Sequence, residues 1–190
     1  MESKELLRQY QAGERTFSRA DLHAAHLRGT VMPGVDLSGA NLGDADLMAA
    51  DLTEADLRWA DLSQANLKKS ILARARLEGT NLRHANLSQA DLREATFEGA
   101  NLEAADLSGA NLEKASLWGA NLEEARLTKA NLRQANLEMA ALWDADLEDA
   151  DLYGAQMRGS VLGGARITDE QLAQTASLQE ATLPDGTKHL

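Results

Sequence analysis

Cysteine is absent from the 190 residues, which excludes disulfide staples, thiolate zinc sites and cysteine nucleophiles together. Aromatic residues make up only 4% of the chain, too few for a core of interlocked Phe, Trp, Ile and Val. No uninterrupted apolar stretch approaches the length of a membrane span. The first twenty residues carry alternating charges and no apolar run, so they do not read as a secretory signal, and the expected setting is the cytoplasm with no membrane association. Positive charge is in deficit as well: 19 Lys and Arg against 30 Asp and Glu give a net charge of −11. Affinity for phosphate backbones comes from clustered Lys and Arg, so direct nucleic-acid binding is not expected. An acidic surface instead favours solubility or basic partners.

What the chain does have is Leu and Ala, placed with a period of five. From Phe17 to Ile167 every fifth residue is apolar, giving 31 consecutive centres, all Leu except Phe17, Met32, Phe97, Met157 and Ile167. Two residues before each centre stands Ala in 25 of the 31 repeats, the exceptions being Arg15, Thr30, Val35, Ser70, Thr80 and Ser160. The consensus is Ala-(Asp/Asn)-Leu-x-x. A fixed short period of this kind is the signature of a solenoid.

Neither regular element accommodates the pattern. In an α-helix five residues advance the angle by about 140° past a full turn, which spreads the Leu row around the whole cylinder. In a flat strand Ala-x-Leu alternates correctly, but the next Ala lies three residues on and the inward face flips at every repeat. The chain keeps these side chains inside only if it turns a corner once per pentapeptide. Coils stacked about 4.8 Å apart then let backbone groups pair along the axis. Charged residues obey the same division, since within the repeats, apart from Arg15 in the lead-in, they avoid the inward positions, as the cost of burying charge demands. Ser38-Gly39-Ala40-Asn41-Leu42, Glu78-Gly79-Thr80-Asn81-Leu82, Glu98-Gly99-Ala100-Asn101-Leu102 and Trp118-Gly119-Ala120-Asn121-Leu122 are separated by multiples of twenty. Four sides per coil would stack them, although Ser108-Gly109-Ala110-Asn111-Leu112 repeats the motif out of phase by ten.

A solenoid needs caps over its two apolar ends. Residues 1–14 form the N-terminal capping segment, where Ser3 is placed to cap a short helix carrying Leu6, Leu7 and Tyr10, with Gly13 as its stop. Residues 15–167 are the repeat region. Residues 168–190 form a C-terminal capping helix and tail: Thr168-Asp169-Glu170-Gln171 is a capping box, Ile167 and Leu172 are placed for a hydrophobic staple, and the helix is expected to run to about Ser177. Leu183-Pro184-Asp185-Gly186 reads as a turn. At Val31-Met32-Pro33-Gly34-Val35 the missing donor of Pro33 predicts a local irregularity.

The repeats, seen intact in Ala90-Asp91-Leu92-Arg93-Glu94-Ala95 and Ala130-Asn131-Leu132-Arg133-Gln134-Ala135, resemble the pentapeptide-repeat family. The resemblance implies an all-β solenoid, a right-handed quadrilateral β-helix of about eight coils with four pentapeptides each and an axis of roughly 35 to 40 Å. The handedness comes from the family alone. The Leu centres, with the lead-in Leu6 to Gly13 and the tail Leu183 to Thr187, are similar to cyanobacterial members. Another branch protects DNA gyrase from quinolones by mimicking duplex DNA, and it favours Phe centres with Cys or other small residues at the Ala position. This chain departs on both counts.

Enzyme chemistry needs a concave pocket, and a filled square prism has none, so no catalytic residue and no cofactor are assigned. Stacked acids such as Asp36 with Asp56, or Glu103 with Glu123, read as solvated carboxylates on a convex wall. Asp144, Asp146, Glu148, Asp149 and Asp151 resemble the start of a calcium loop, but Asp149 stands where Gly is required and Ala155 where the closing Glu is, so no metal is assigned. His23, His26, His84 and His189 are too scattered to form a ligand set. The Asp and Asn before each centre are expected to bond backbone amides at the corners, with Asn81, Asn101 and Asn121 forming a side-chain ladder.

The informative residues are large apolar ones at positions the pattern exposes: Met48, Trp59, Trp118, Met139, Trp143 and Tyr153. Twenty-residue coils would put Trp118 and Met139 on adjacent coils of one side and Trp143 around the next corner, rimmed by Glu123, Glu124, Glu138 and Asp144. Trp59, Trp118, Met139, Trp143 and Tyr153 are therefore the candidate partner-binding residues. The expected function is a non-enzymatic interaction or scaffold module whose partner is another protein. The alternative is a DNA-mimicking inhibitor or protector of a DNA-binding enzyme such as DNA gyrase. Either a monomer or an end-to-end dimer is compatible, because an incompletely capped end can stack on a copy of itself.

Overall fold

The computed structural model describes residues 1–190 and bends the chain at every fifth residue, as the Leu period requires. The residue before each centre forms a parallel bridge to the residue twenty positions later, without interruption from Thr16↔Asp36 to Asp146↔Arg166. Four pentapeptides therefore make one circuit. The out-of-phase Gly109 segment lies on the side opposite the Gly39, Gly79, Gly99 and Gly119 segments. The expected β architecture is reached without any strand longer than a single bridged residue. A corner at each pentapeptide leaves no room for a longer one.

The five backbone N–H groups of a repeat each have a destination. In the repeat centred on Leu42, Leu42 donates to Asp61 O at 2.7 Å, Asp44 to Ser63 O at 2.9 Å, and Asn41 back to Ala20 O at 2.9 Å. Ala45 closes the turn onto Leu42 O at 3.1 Å. The fifth, on Gly43, donates to the side-chain Oδ1 of Asn41 at 3.3 Å. Nineteen Asp and Asn residues of the repeats accept such a bond from the amide two positions on. The residue choice before the centre thus supplies the acceptor that the backbone of a five-residue turn lacks.

Pro33 follows the same rule. It occupies the position whose N–H normally needs that acceptor, and Val31, which offers none, stands two residues earlier. Donor and acceptor are missing together. The turn keeps its form, with Met32 N donating to Asp51 O at 2.8 Å and Gly34 N to Thr53 O at 2.8 Å. The irregularity expected at this point does not occur.

Inside, Leu and Ala build one continuous cluster of 57 buried apolar residues. Full burial of a Leu side chain stabilises by about 1.5–3 kcal/mol, so the centres dominate the hydrophobic gain. Where a hydroxyl replaces Ala in this column it bonds a backbone carbonyl: Ser70 to Leu67 O at 2.7 Å, Thr80 to Leu57 O at 2.8 Å, Ser160 to Met157 O at 2.8 Å. The corners carry an opposing cost. From Arg19 to Gly164 every fifth residue has a positive φ, and only ten of these thirty are glycine. A side chain in the left-handed region costs roughly 1–2 kcal/mol, and the fold carries that cost at twenty corners.

Both ends are covered. Helix α1 (Ser3–Gln11) lays Leu6 into the first coil and packs Leu7 and Tyr10 against it. It ends on Gly13 (φ 100°), with Gly13 N donating to Tyr10 O and Glu14 N to Gln9 O, both at 3.0 Å. Ser3 does not cap this helix; Glu2 holds the N-cap position without a side-chain bond. The Ser3 hydroxyl instead accepts His26 N–H at 3.0 Å, and the Glu14 carboxylate accepts the amides of Arg15 and Thr16. The segment therefore blunts the exposed rung by supplying polar groups to it.

At the other end Thr168 and Gln171 form the expected capping box, but helix α2 (Asp169–Leu172) is one turn long and does not reach Ser177. The chain returns to the coil: Ser177 bridges Gln156 and Thr182 bridges Val161, a spacing of twenty-one. Ala176-Ser177-Leu178 and Ala181-Thr182-Leu183 are two further repeats, displaced by the one residue the helix inserts. Gln171 Nε2 donates to Leu147 O at 2.7 Å and to Ala150 O at 2.9 Å; Leu147 O also accepts the Ala150 amide at 3.0 Å, so Ala150 O is the carbonyl the helix would otherwise leave without a partner. After the expected turn at Leu183 to Gly186, Lys188 pairs antiparallel with Thr182 and covers the final edge.

Two stability measurements follow. Gln171→Ala is expected to lower the unfolding free energy by about 1–3 kcal/mol, because it strands the buried carbonyl of Ala150. Gly99→Ala is expected to cost about 1 kcal/mol at its φ of 63°, whereas Lys114→Gly at 59° leaves stability within about 0.5 kcal/mol of the parent or raises it. Urea denaturation checks all three. Equal losses from Gly99→Ala and Lys114→Gly would contradict the left-handed corners.

Candidate functional site

With the four sides fixed, each exposed aromatic takes a definite place. Trp118 and Met139 occupy the same corner on adjacent coils, and Trp143 stands at the next corner on the same coil as Met139, as the twenty-residue period predicts. They are 49%, 59% and 45% exposed. Trp59 shares the corner of Met139 but lies four rungs away, or about 19 Å at 4.8 Å per rung. Tyr153 stands at the corner diagonally opposite Trp143. The five candidate residues are thus not one patch: Trp118, Met139 and Trp143 are brought together, while Trp59 and Tyr153 are separate. Met48, on yet another corner, is half-buried.

Several of these side chains already have partners. A β-carbon at Gly79 would fall 2.1 Å from Cζ3 of Trp59, and one at Gly163 would fall 1.9 Å from Cζ3 of Trp143, so each indole lies against the glycine one coil on. Met139 Sδ covers Gly159 in the same manner, at 2.5 Å from such a β-carbon. The Tyr153 ring carries the Arg133 guanidinium at 4.6 Å from its centroid. Trp118 differs. Gly99 and Gly119, the glycines beside it at its corner, are not covered by any side chain from a neighbouring coil.

Two acids flank Trp118. Its neighbours in the column, one rung to either side, are Glu98 and Glu138, and neither takes part in an ion pair. Glu98 is absent from the rim expected from sequence, although subtracting twenty from 118 finds it. One of its carboxylate oxygens is buried without a hydrogen-bond partner, as is one of Glu78, the residue one rung further back. The other expected rim acids, Glu123, Glu124 and Asp144, belong to the Trp143 corner.

Several acids elsewhere are paired within the chain. Arg166 binds both Asp146 at 3.1 Å and Glu148 at 2.6 Å, and Arg133 binds Asp151 at 3.1 Å, so most of the run that resembles a calcium loop is taken up by arginine. No group of three or more His, Asp or Glu residues is arranged to hold a metal. Glu103 is paired with Arg83 at 2.6 Å rather than with Glu123. Of the expected asparagine ladder only Asn121 to Asn101 forms, at 3.4 Å; Asn81 donates to Asp61 instead, at 2.9 Å. His23 lies 3.9 Å from Asp44.

Concavity is confined to two shallow depressions. One of about 420 Å³ sits where α2 leaves the coil, lined by Glu148, Asp149, Arg166, Ile167, Thr168 and Gln171. The other, about 280 Å³, is lined by Glu138, Met139, Arg158 and Glu180. No helix is long and apolar enough to cross a membrane.

The Arg58 guanidinium, bonded to both oxygens of Asp56, holds that carboxyl below its ordinary range, and Arg93 does the same for Asp91. A carboxyl depressed in the folded state stabilises it above the unfolded value of about 3.9 and loses that contribution as pH falls through the folded value. The unfolding temperature is therefore expected to be level from pH 7 to about 5 and to fall below about pH 4. An Asp56→Asn, Asp91→Asn variant should fall less steeply, as thermal scans across pH would reveal. A second expectation concerns Trp59: Gly79→Ala displaces its indole and red-shifts its emission, measured in a Trp118→Phe, Trp143→Phe background. An unchanged spectrum would contradict the stacking.

Comparison with known proteins agrees with this geometry. The family model for pentapeptide repeats matches in 8 copies, over residues 17–53, 34–68, 70–109, 105–140 and 130–169. No curated protein matches the chain. Among solved structures, HetL of Nostoc sp. strain PCC 7120, a pentapeptide repeat protein involved in heterocyst differentiation regulation, is 31% identical over 100% of both chains, with a TM-score of 0.29. Rfr23 of Cyanothece 51142, also a pentapeptide repeat protein, is 30% identical over 77% of this chain and 97% of its own, with a TM-score of 0.42. A trypsin-treated variant of QnrB1, a plasmid-mediated fluoroquinolone resistance protein, is 21% identical over 90% of this chain and 87% of its own, with a TM-score of 0.58.

Proposed function

Because the chain belongs to the pentapeptide-repeat family, we propose that it is a non-enzymatic protein-interaction or scaffold module, a right-handed square solenoid of about eight coils that works through its outer surface. One observation carries the reading. The interior is filled by Leu and Ala, while large apolar side chains that the repeat has no use for stand exposed at two neighbouring corners, at Trp118, Met139 and Trp143. Trp is concentrated in binding hot spots, and clustered exposure marks interaction sites better than scattered exposure does. The partner is another protein, bound on a convex edge. Reactive groups have no deep cavity in which to converge, which supports a role other than catalysis.

Capture from source lysate with the native chain and a Trp118→Ala, Trp143→Ala variant tests this reading. At least one protein is expected to be retained by the native chain and lost, by tenfold or more, with the variant. Equal recovery of every partner by both would remove the cluster from the account.

A second reading, DNA mimicry directed at an enzyme such as DNA gyrase, is favoured by the net charge of −11 on a rod-shaped solenoid. Against it stand the Leu centres, with Phe only at Phe17 and Phe97, and the internal neutralisation of several acids by arginine. Supercoiling assays with micromolar protein are expected to show neither inhibition nor quinolone protection. Either effect would favour the mimic.

A further inference from the structure

We propose that the Trp118 corner is an arginine-binding site, at which an arginine side chain of the partner stacks on the indole and pairs with Glu98 and Glu138. This deepens the interaction reading above and rests on it. Four observations converge. First, Trp118 is half exposed and no cation of its own chain lies over it, whereas the other two aromatics with an arginine at hand both carry it: Arg15 at 4.0 Å from the Tyr10 centroid and Arg133 at 4.6 Å from that of Tyr153. Second, the column positions directly before and after Trp118 are Glu98 and Glu138, each about 4.8 Å away along the axis.

In the column of Tyr153 the residue one rung before the ring is Arg133, which both stacks on it and pairs with Asp151 at 3.1 Å. In the Trp118 column the rungs directly before and after the ring carry acids, and the column's arginines, Arg58 and Arg158, stand three rungs before it and two rungs after it. Third, those acids are uncompensated. Glu98 and Glu138 make no ion pair, and Glu98 keeps a buried carboxylate oxygen with no hydrogen-bond partner. Arg158, one rung beyond Glu138 in the same column, is paired with Glu180 at 3.3 Å, and Arg76 is paired with Asp56 at 3.5 Å and Glu78 at 3.8 Å.

Fourth, there is room. At this corner the second turn residue runs Trp59, Gly79, Gly99, Gly119, Met139, Gly159. Trp59 covers Gly79 and Met139 covers Gly159, but apart from the adjacent residues of the chain no atom lies within 4 Å of where a β-carbon would stand at Gly99 or Gly119. The result is a trough two rungs long beside the indole. Guanidinium is the cation that suits it, because its planar face stacks on an aromatic ring while its edge donates to carboxylates on either side, and it sheds water more readily than an ammonium.

The test uses the full chain labelled with 15N, whose three indole N–H signals are assigned by single Trp→Phe variants. It is titrated with a capped Gly-Arg-Gly peptide, with Gly-Lys-Gly and Gly-citrulline-Gly as controls and maltose as an uncharged stacking probe. The expected result is a saturable shift of the Trp118 signal by the arginine peptide, at least about threefold larger than that of Trp59 or Trp143, weaker with lysine and absent with citrulline. Glu98→Gln, Glu138→Gln should reduce the affinity about fivefold or more while the Trp118 signal itself persists, which shows that the variant is folded.

Equal shifts of all three indoles, an equal response to citrulline, or binding unchanged in the double Gln variant would overturn the proposal. So would a Trp118 response to maltose but not to arginine, or a shift with protein concentration alone, which would mean a sugar or a second copy of the chain. The two readings fail separately. A lysate partner lost with Trp118→Ala but retained in excess arginine peptide and in the double Gln variant would leave the interaction module standing and remove the arginine.

Discussion

Everything in this molecule depends on the pairing of each rung with the one twenty residues on. A five-residue side is too short to satisfy its own backbone, so it borrows: two N–H groups go forward to the next coil, one goes back to the previous coil, one closes the corner, and one goes to an Asp or Asn side chain. Given that arrangement, the Leu and Ala columns have no direction to face but inward. A packed interior then follows from the same spacing that settles the hydrogen bonds. Chemical variety is pushed outward to the two turn residues and to the bridged position, where no interior contact constrains them.

That outward surface is where a role must be sought. Tight stacking makes the exterior a grid in which residues twenty apart are neighbours whatever their identity. On part of the grid opposite charges fall beside one another and pair, as Arg74 does with Glu54, Arg83 with Glu103 and Arg166 with Asp146. In the Trp118 column the indole stands between two acids on the adjacent rungs, and the arginine beyond them, Arg158, is paired with Glu180. The same geometry that pairs those charges leaves Glu98 and Glu138 without an ion pair beside a half-exposed ring.

Much of the fold was legible in the sequence because a solenoid projects a one-dimensional pattern onto three dimensions with a single period. The inward columns, the capping box at Thr168 and the adjacency of Trp118 with Met139 all follow from counting by five or twenty. What escaped depended on side chains choosing among partners of similar strength. Ser3 serves the amide of His26 on the exposed rung, not its own helix. Pro33 disturbs nothing because Val31 withdraws the matching acceptor. The extent of α2 was misjudged because Ala173 to Ser177 suits a helix locally, while Ala176-Ser177-Leu178 offers the coil a further rung to pair with. Of the site, the positions were readable but the occupancy was not. Whether an indole is covered or free depends on glycines one coil away, as at Gly79 and Gly163.

The absence of cysteine from the chain permits a direct measurement of the central pairing. Asn101 and Asn121 are bridged on adjacent rungs, whereas Asn111 lies half a circuit away on the opposite side. A disulfide needs α-carbons about 4.4–6.8 Å apart. Asn101→Cys with Asn121→Cys should oxidise to an intramolecular disulfide in the folded protein, while Asn101→Cys with Asn111→Cys should stay reduced. Oxidation of the second pair but not the first would mean that the coil does not contain twenty residues, and that the columns drawn from it do not exist.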